Sequence, residues 1–346
     1  VVVEAWRGDG IESRHEVWCA VLPMDALASD NIPGLAVAPA WPRTYMRSTA
    51  KPFQLLPLVV AGGVERFGLD AADLAVMAAS HDGTDAHAER VAAILGRMGL
   101  DPGALRCGLQ RPYYLETLPP EHPERQRLFG PLHNNCSGNH AALLGLALLH
   151  GVAPADYLRA DGAGQVRAHA AVEALCGVRP TLAVDDCAAP CYGVPLAAMA
   201  EGYRFLAEPA GIGDLSPSRR ARLAAVGAPD EVVPALASIA AAMASEPEWV
   251  SGATSGAARL ARALPGEIVA KYGAEGILCV AHRGRGASVA LKVADGNARA
   301  LMPAMLALAS ALGWAAPLVA AALADLFEPR IFGRVGQIVG RLRVAR

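Results

Sequence analysis

Apolar positions along the chain recur with different periods in different segments, and those periods predict its elements. Val17-Trp18-Cys19-Ala20-Val21-Leu22 is a short apolar run bounded by turn residues, and the first 40 residues read as strands. Between 85 and 99, Ala88, Val91, Leu95 and Met98 fall on one face at helical spacing. Arg47-Ser48-Thr49-Ala50-Lys51-Pro52 predicts a helix start with Ser48 as N-cap, running to Gly62-Gly63. Residues 106–135 are rich in Pro and Tyr and read as loop; a helix follows from Asn139-His140 to Gly151. Helix dominates 153–264, interrupted by a strand at Thr181-Leu182-Ala183-Val184. Gly276–Ala281 and Ala287–Val293 flank Arg283-Gly284-Arg285-Gly286, a hairpin pattern. The uncharged stretch 300–324 is long enough to span a bilayer, but it is alanine-rich and contains Pro303 and Pro317. Two core helices broken near Pro317 fit it better than a membrane span.

Length and composition refine this picture only in places. The 346 residues carry 31 basic and 33 acidic groups, a balance that gives no footprint for nucleic acid or anionic membrane. Seven scattered cysteines form no disulfide framework, and no secretory leader is evident, so the cytoplasm is the expected compartment. No internal repeat or linker divides the chain. The expected organisation is one two-lobed catalytic domain: an α/β lobe of approximately 1–60 and 175–346, and a helical lobe of approximately 61–174. One imbalance changes the reading. Only three of the basic residues are lysines: Lys51, Lys271 and Lys292.

Two of these lysines lie in patterns that carry chemistry. Ser48-Thr49-Ala50-Lys51 has S-x-x-K spacing, which puts the hydroxyl and amine on one helical face. A neutral lysine can take a serine proton; arginine stays protonated and cannot. Ser80-His81-Asp82 and Lys271-Tyr272-Gly273 complete a set in the order found in serine β-lactamases and penicillin-binding proteins. Lys292 lies in an alternating strand and reads as structural. The run from His133 to His140 precedes an apolar helix, whose N-terminus suits an anion or carboxylate. Asp185 follows a strand and could grip a substrate ammonium; Cys136 and Cys187 could share a metal, although zinc wants four ligands.

Taken together, these blocks resemble the Rhizobium-type asparaginases (asparaginase II, class 3). The resemblance rests on Ser48-Thr49-Ala50-Lys51-Pro52, Ser80-His81, Asn134-Asn135-Cys136-Ser137-Gly138 and Asp185-Asp186-Cys187. Pro247-Glu248-Trp249-Val250-Ser251-Gly252 and Lys271-Tyr272-Gly273-Ala274-Glu275-Gly276 continue it. It implies a serine β-lactamase-like α/β fold (sheet with helices plus a helical lobe), a homodimer, and hydrolysis of L-asparagine to L-aspartate and ammonia. By position it implies two tandems, Ser48 with Lys51 and Ser80 with Lys271. The substrate-binding candidates are Arg47, His81, Asn135, His140 and Asp185, and Cys136 and Cys187 match the family's zinc thiols. No cofactor is required for the chemistry. Three departures stand out: Asn139 replaces the family's lysine ligand, Asp82-Gly83-Thr84-Asp85 replaces Ser-Gly-Glu-Pro, and Gln110 replaces a histidine. A Ser–Lys amidase for another amide or lactam, or a non-catalytic amino-acid-binding homologue, are the alternatives.

Overall fold

The computed structural model describes residues 1–23, 43–314 and 321–345. Its principal sheet has seven strands. β1 (Val2–Arg7) and β2 (Gly10–Leu22) form a hairpin, and β6 (Ile268–Gly273), β7 (Ile277–His282) and β8 (Ala287–Val293) form a meander. With β9 (Arg330–Phe332) and β10 (Ile338–Val344), the order is β6-β7-β8-β2-β1-β10-β9 and every pairing is antiparallel. A smaller sheet holds β3 (Arg43–Tyr45), β5 (Pro190–Pro195) and β4 (Thr181–Val184) in that order.

Between the strands lie α1 (Lys51–Val60), α2 (Gly63–Phe67), α3 (Ala71–Met77), α4 (Asp85–Arg97), α5 (Ser137–Leu149) and α6 (Ala163–Cys176). They are followed by α7 (Leu196–Ala207), α8 (Pro217–Leu223), α9 (Pro229–Ser245), α10 (Pro247–Ser251), α11 (Gly256–Ala263) and α12 (Leu301–Ala311). The fold is mixed α/β, with helices packed on an antiparallel sheet. α7 lies on β2, β7 and β8, and α1 is wrapped by α5, α6 and α9. That explains why α1 is buried almost all round, with Phe53, Leu55, Leu56 and Leu58 shut off from water. A second core joins the other face of the sheet to α11 and α12 through Val3, Leu278, Val289, Leu291, Leu301 and Met305.

Several sequence expectations land on these elements. β2, α4, β4 and the β7–β8 hairpin lie where periodicity put them, and Gly286 supplies the left-handed residue (φ 59°) that closes the hairpin. Ser48 is not an N-cap. Arg47–Ala50 form a 3₁₀ turn, the α-helix begins at Lys51, and no side chain caps it. α5 starts two residues earlier than expected, at Ser137. α12 is eleven residues long, Pro317 lies outside the described residues, and no described helix is long and apolar enough to cross a membrane.

Candidate active site

Four chain segments converge on one polar centre inside the apolar core. Lys51 enters from the first turn of α1, Ser80 from just beyond α3, Cys136 from the start of α5 and Lys271 from edge strand β6. Close approach of α5 to α3 depends on Gly138, where a Cβ would come within 2.1 Å of the Val76 carbonyl oxygen. Any larger residue in the Cys-Ser-Gly block would push the two helices apart.

The lysines meet at a single hydroxyl. Lys51 Nζ lies 2.8 Å from Ser80 Oγ, and Lys271 Nζ lies 2.9 Å from the same oxygen. Lys51 also donates to Cys136 Sγ (3.1 Å), and Lys271 donates to the Tyr272 carbonyl (2.8 Å). Both amines are buried, Lys271 completely. Burial, and then the positive charge of Lys51, hold the Lys271 amine well below the usual lysine range. That favours a neutral nitrogen at Lys271. Ser48 stands apart from these hydrogen bonds. It is half-buried one helical turn before Lys51, and its hydroxyl makes no hydrogen bond among the described residues.

Next to the lysines are the two thiols. The Cys136 thiol is pulled down from its ordinary range first by a hydrogen bond from Cys187, then by the charge of Lys51, against the effect of burial. Cys187 is pushed up by the same hydrogen bond and by burial. Of the two sulfurs, Cys136 is the one that faces an amine, that of Lys51. This arrangement bears on the zinc expectation. Both sulfurs already have polar partners, and among the described residues no three His, Cys, Asp or Glu side chains are grouped to hold a metal ion. Asn139, three residues after Cys136, is buried with neither its amide nitrogen nor its oxygen bonded. Two thiols and a carboxamide are a poor donor set for zinc, which prefers four sulfur, imidazole or carboxylate ligands. The residues present do not fit the metal.

The substrate-binding candidates border the same centre. Arg47 adopts a left-handed backbone (φ 49°), costly for a residue with a Cβ and characteristic of functional turns. Its guanidinium forks onto Asp185 (3.0 and 3.1 Å) and also meets Asp186 (2.6 Å). Burial pushes the Asp185 carboxyl up, but Arg47 and then Lys51 outweigh it and hold the group below its ordinary value. His140 is fully buried, with Nδ1 on the Tyr157 hydroxyl and Nε2 unbonded. Burial and then Lys51 push it down to about 3, so its ring is neutral. His81 is also buried; its Nδ1 accepts from Gly83 N–H (3.1 Å), leaving Nε2 to donate to Ser137 Oγ (2.9 Å). The Gly83 amide is thereby spent. Asn135 sits against Cys136 Sγ (3.1 Å) and Tyr113 (3.4 Å), while Gln110 accepts from its backbone N–H (3.3 Å).

Sequence reasoning did not find the Lys51–Cys136 contact and gave no role to Asn134 or Asp82. Asn134 shapes the loop by donating to the Cys107 carbonyl (2.9 Å) and accepting from Cys136 N–H (2.8 Å). Its place in the polar run before α5 was the available signal. Lys292, read as structural, donates to the carbonyls of Glu275 and Val293 (2.7 Å each) and ties the 275–293 turn together.

The sequence model of the L-asparaginase II family matches residues 3–344, which is nearly the whole chain. The chain belongs to the L-asparaginase II family. It is accordingly an enzyme, a hydrolase of the asparaginase type. No curated protein matches the chain. The blocks common to the L-asparaginase II resemblance, around Ser48, Ser80, Cys136, Asp185 and Lys271, are the ones that border this centre.

Proposed function

We propose that the protein hydrolyses the side-chain amide of L-asparagine to L-aspartate and ammonia, with Ser48 as nucleophile. The observation that carries this reading is the hydroxyl of Ser80 set between two buried lysine amines at 2.8 and 2.9 Å. Such a chain moves a proton without moving a residue. Lys271 is the resting acceptor, because its buried amine favours the neutral form. A proton passes from Lys51 to Ser80 Oγ while the Ser80 proton passes to Lys271. Lys51, now neutral, takes the proton of Ser48 as its oxygen attacks the amide carbon. Ammonia leaves after protonation through the same chain, and water reverses the sequence to release aspartate from the acyl-enzyme. Ser48 suits the nucleophile role because its hydroxyl is partly exposed and uncommitted, whereas Ser80 is tied between the amines. Backbone N–H groups near Ser48 and in the 83–84 loop are the candidate donors to the oxyanion; His81 occupies that of Gly83, which leaves those of Ser48 and Thr84.

Recognition follows from the Arg47–Asp185 pair. A free amino acid carries one carboxylate and one ammonium, which can meet the guanidinium and the carboxylate that now meet each other. The hydroxyl one turn ahead of Lys51, the second serine beyond α3 and the lysine on an edge strand also support a serine β-lactamase-like fold. Ammonia release measured over L-asparagine, L-glutamine and simple amides, beside ring opening of a lactam followed by its absorbance, tests the reading: turnover is expected to be highest on L-asparagine. Ammonia release from a simple amide, or opening of the lactam, with no release from asparagine would replace it with the other amidase. The chemistry uses the chain's own residues. Protein purified without chelator is expected to carry far less than one zinc per chain by elemental analysis; a full equivalent would overturn the donor-set argument.

A further inference from the structure

Beyond the lysine centre, a cavity of about 350 Å³ opens between the start of α4, the Tyr114 loop and α10. Its walls include Ala86, His87, Tyr114 and Trp249, and two lining residues carry carboxyls, Asp82 and Glu248. His87 and Trp249 meet edge to face (5.2 Å), and His87 stacks on His81 (4.8 Å), so the cavity shares a wall with the catalytic region.

Asp82 is unusual. Its carboxyl makes no hydrogen bond or ion pair among the described residues, and burial alone pushes it up to about 6. The backbone is shaped to admit it: Gly252 has φ 83°, and a Cβ there would lie 1.7 Å from Asp82 Oδ2. Only glycine permits both the conformation and the contact. The neighbouring charges are engaged elsewhere. Arg90 lies over the Trp249 ring (4.5 Å) and binds Asp70 and Asp73, while Glu248 on the rim is held by Arg262. His87 is bonded at both nitrogens, to Thr84 Oγ1 and the Glu248 carbonyl, and burial lowers its tendency to charge. Among the described residues, the cavity thus offers apolar and aromatic walls, one unpaired carboxyl and no free cation.

We propose that this cavity is a binding site for a small organic cation, a primary ammonium on a short apolar body, with the ammonium on Asp82. An amino-acid zwitterion suits it less well, because its carboxylate would find no cation there. The inference does not depend on which serine attacks or on which amide is hydrolysed.

The test is calorimetric titration of the whole protein at pH 8 with n-butylammonium, beside n-butanol and butyrate as neutral and anionic probes of the same length. Only the ammonium is expected to bind, and Asp82→Asn, nearly isosteric, should weaken it by roughly tenfold or more. Ala86→Leu, which narrows the cavity from a helical position that suits leucine, should weaken it while leaving Asp82 in place. No binding up to ~50 mM, equal binding of butanol, or unchanged affinity in Asp82→Asn would each overturn the site. Competition in the Ser48→Ala protein separates the cavity from the catalytic centre. Displacement of the amine by L-asparagine would place it in that centre and end the proposal; persistence of binding supports a separate site.

Discussion

Lys51→Arg is expected to lower kcat/KM for ammonia release by roughly 10²- to 10⁴-fold, the range that general-base catalysis contributes. Arginine keeps the positive charge beside Cys136 but cannot accept the Ser48 proton. The protein should still fold, with a melting temperature near that of the wild type, because a cation is retained at the thiol. Near-normal activity in a folded Lys51→Arg protein would contradict the proton path. Lys271 adds a pH signature. Its amine must be neutral to receive the proton, and its affinity for protons is lowered by burial and by Lys51. Activity should therefore fall as pH drops through that lowered value, because protonation removes the acceptor. Lys271→Met, which fills the strand position without a titratable group, should lose this acid limb together with most of the rate.

Replacing the serines should separate their roles. Ser48→Ala removes the attacking oxygen and is expected to reduce kcat by roughly 10³-fold or more. Ser80→Ala keeps the nucleophile but breaks the hydrogen-bonded link between the two lysines. A smaller loss, about 10²-fold with little change in KM, is expected for it. Equal losses in kcat, or a larger one in Ser80→Ala, would move the nucleophile to Ser80.

Much of this centre was legible in the sequence, for a specific reason. A chain with three lysines puts two of them in S-x-x-K and K-x-G patterns, and these two converge on Ser80. The third closes a turn through backbone carbonyls. Strands β2, β7 and β8 and helix α4 were legible because each has its own apolar period and turn residues. What the sequence could not give were contacts between distant segments. Spacing put Ser48 and Lys51 on one face, but Lys51 reaches past that face to residues 29 and 85 positions away. The N-cap expected at Ser48 failed because the chain enters α1 through a left-handed Arg47 and a 3₁₀ turn. β3, β5, β6, β9 and β10 were missed: β3 and β9 have only three residues, β5 is six residues long and proline-bounded, β6 carries Lys271 in an apolar run, and β10 mixes Arg and Gly into its apolar positions. Asn139 was visible as a departure, but its unbonded burial was not.

The central claim is that Ser48 forms the covalent bond to substrate. Rapid quenching of the enzyme with L-asparagine, followed by peptide mass mapping, tests it most directly. An aspartyl adduct on the peptide carrying Ser48, absent from Ser48→Ala, is the expected result; an adduct on Ser80, or none under turnover, would contradict it.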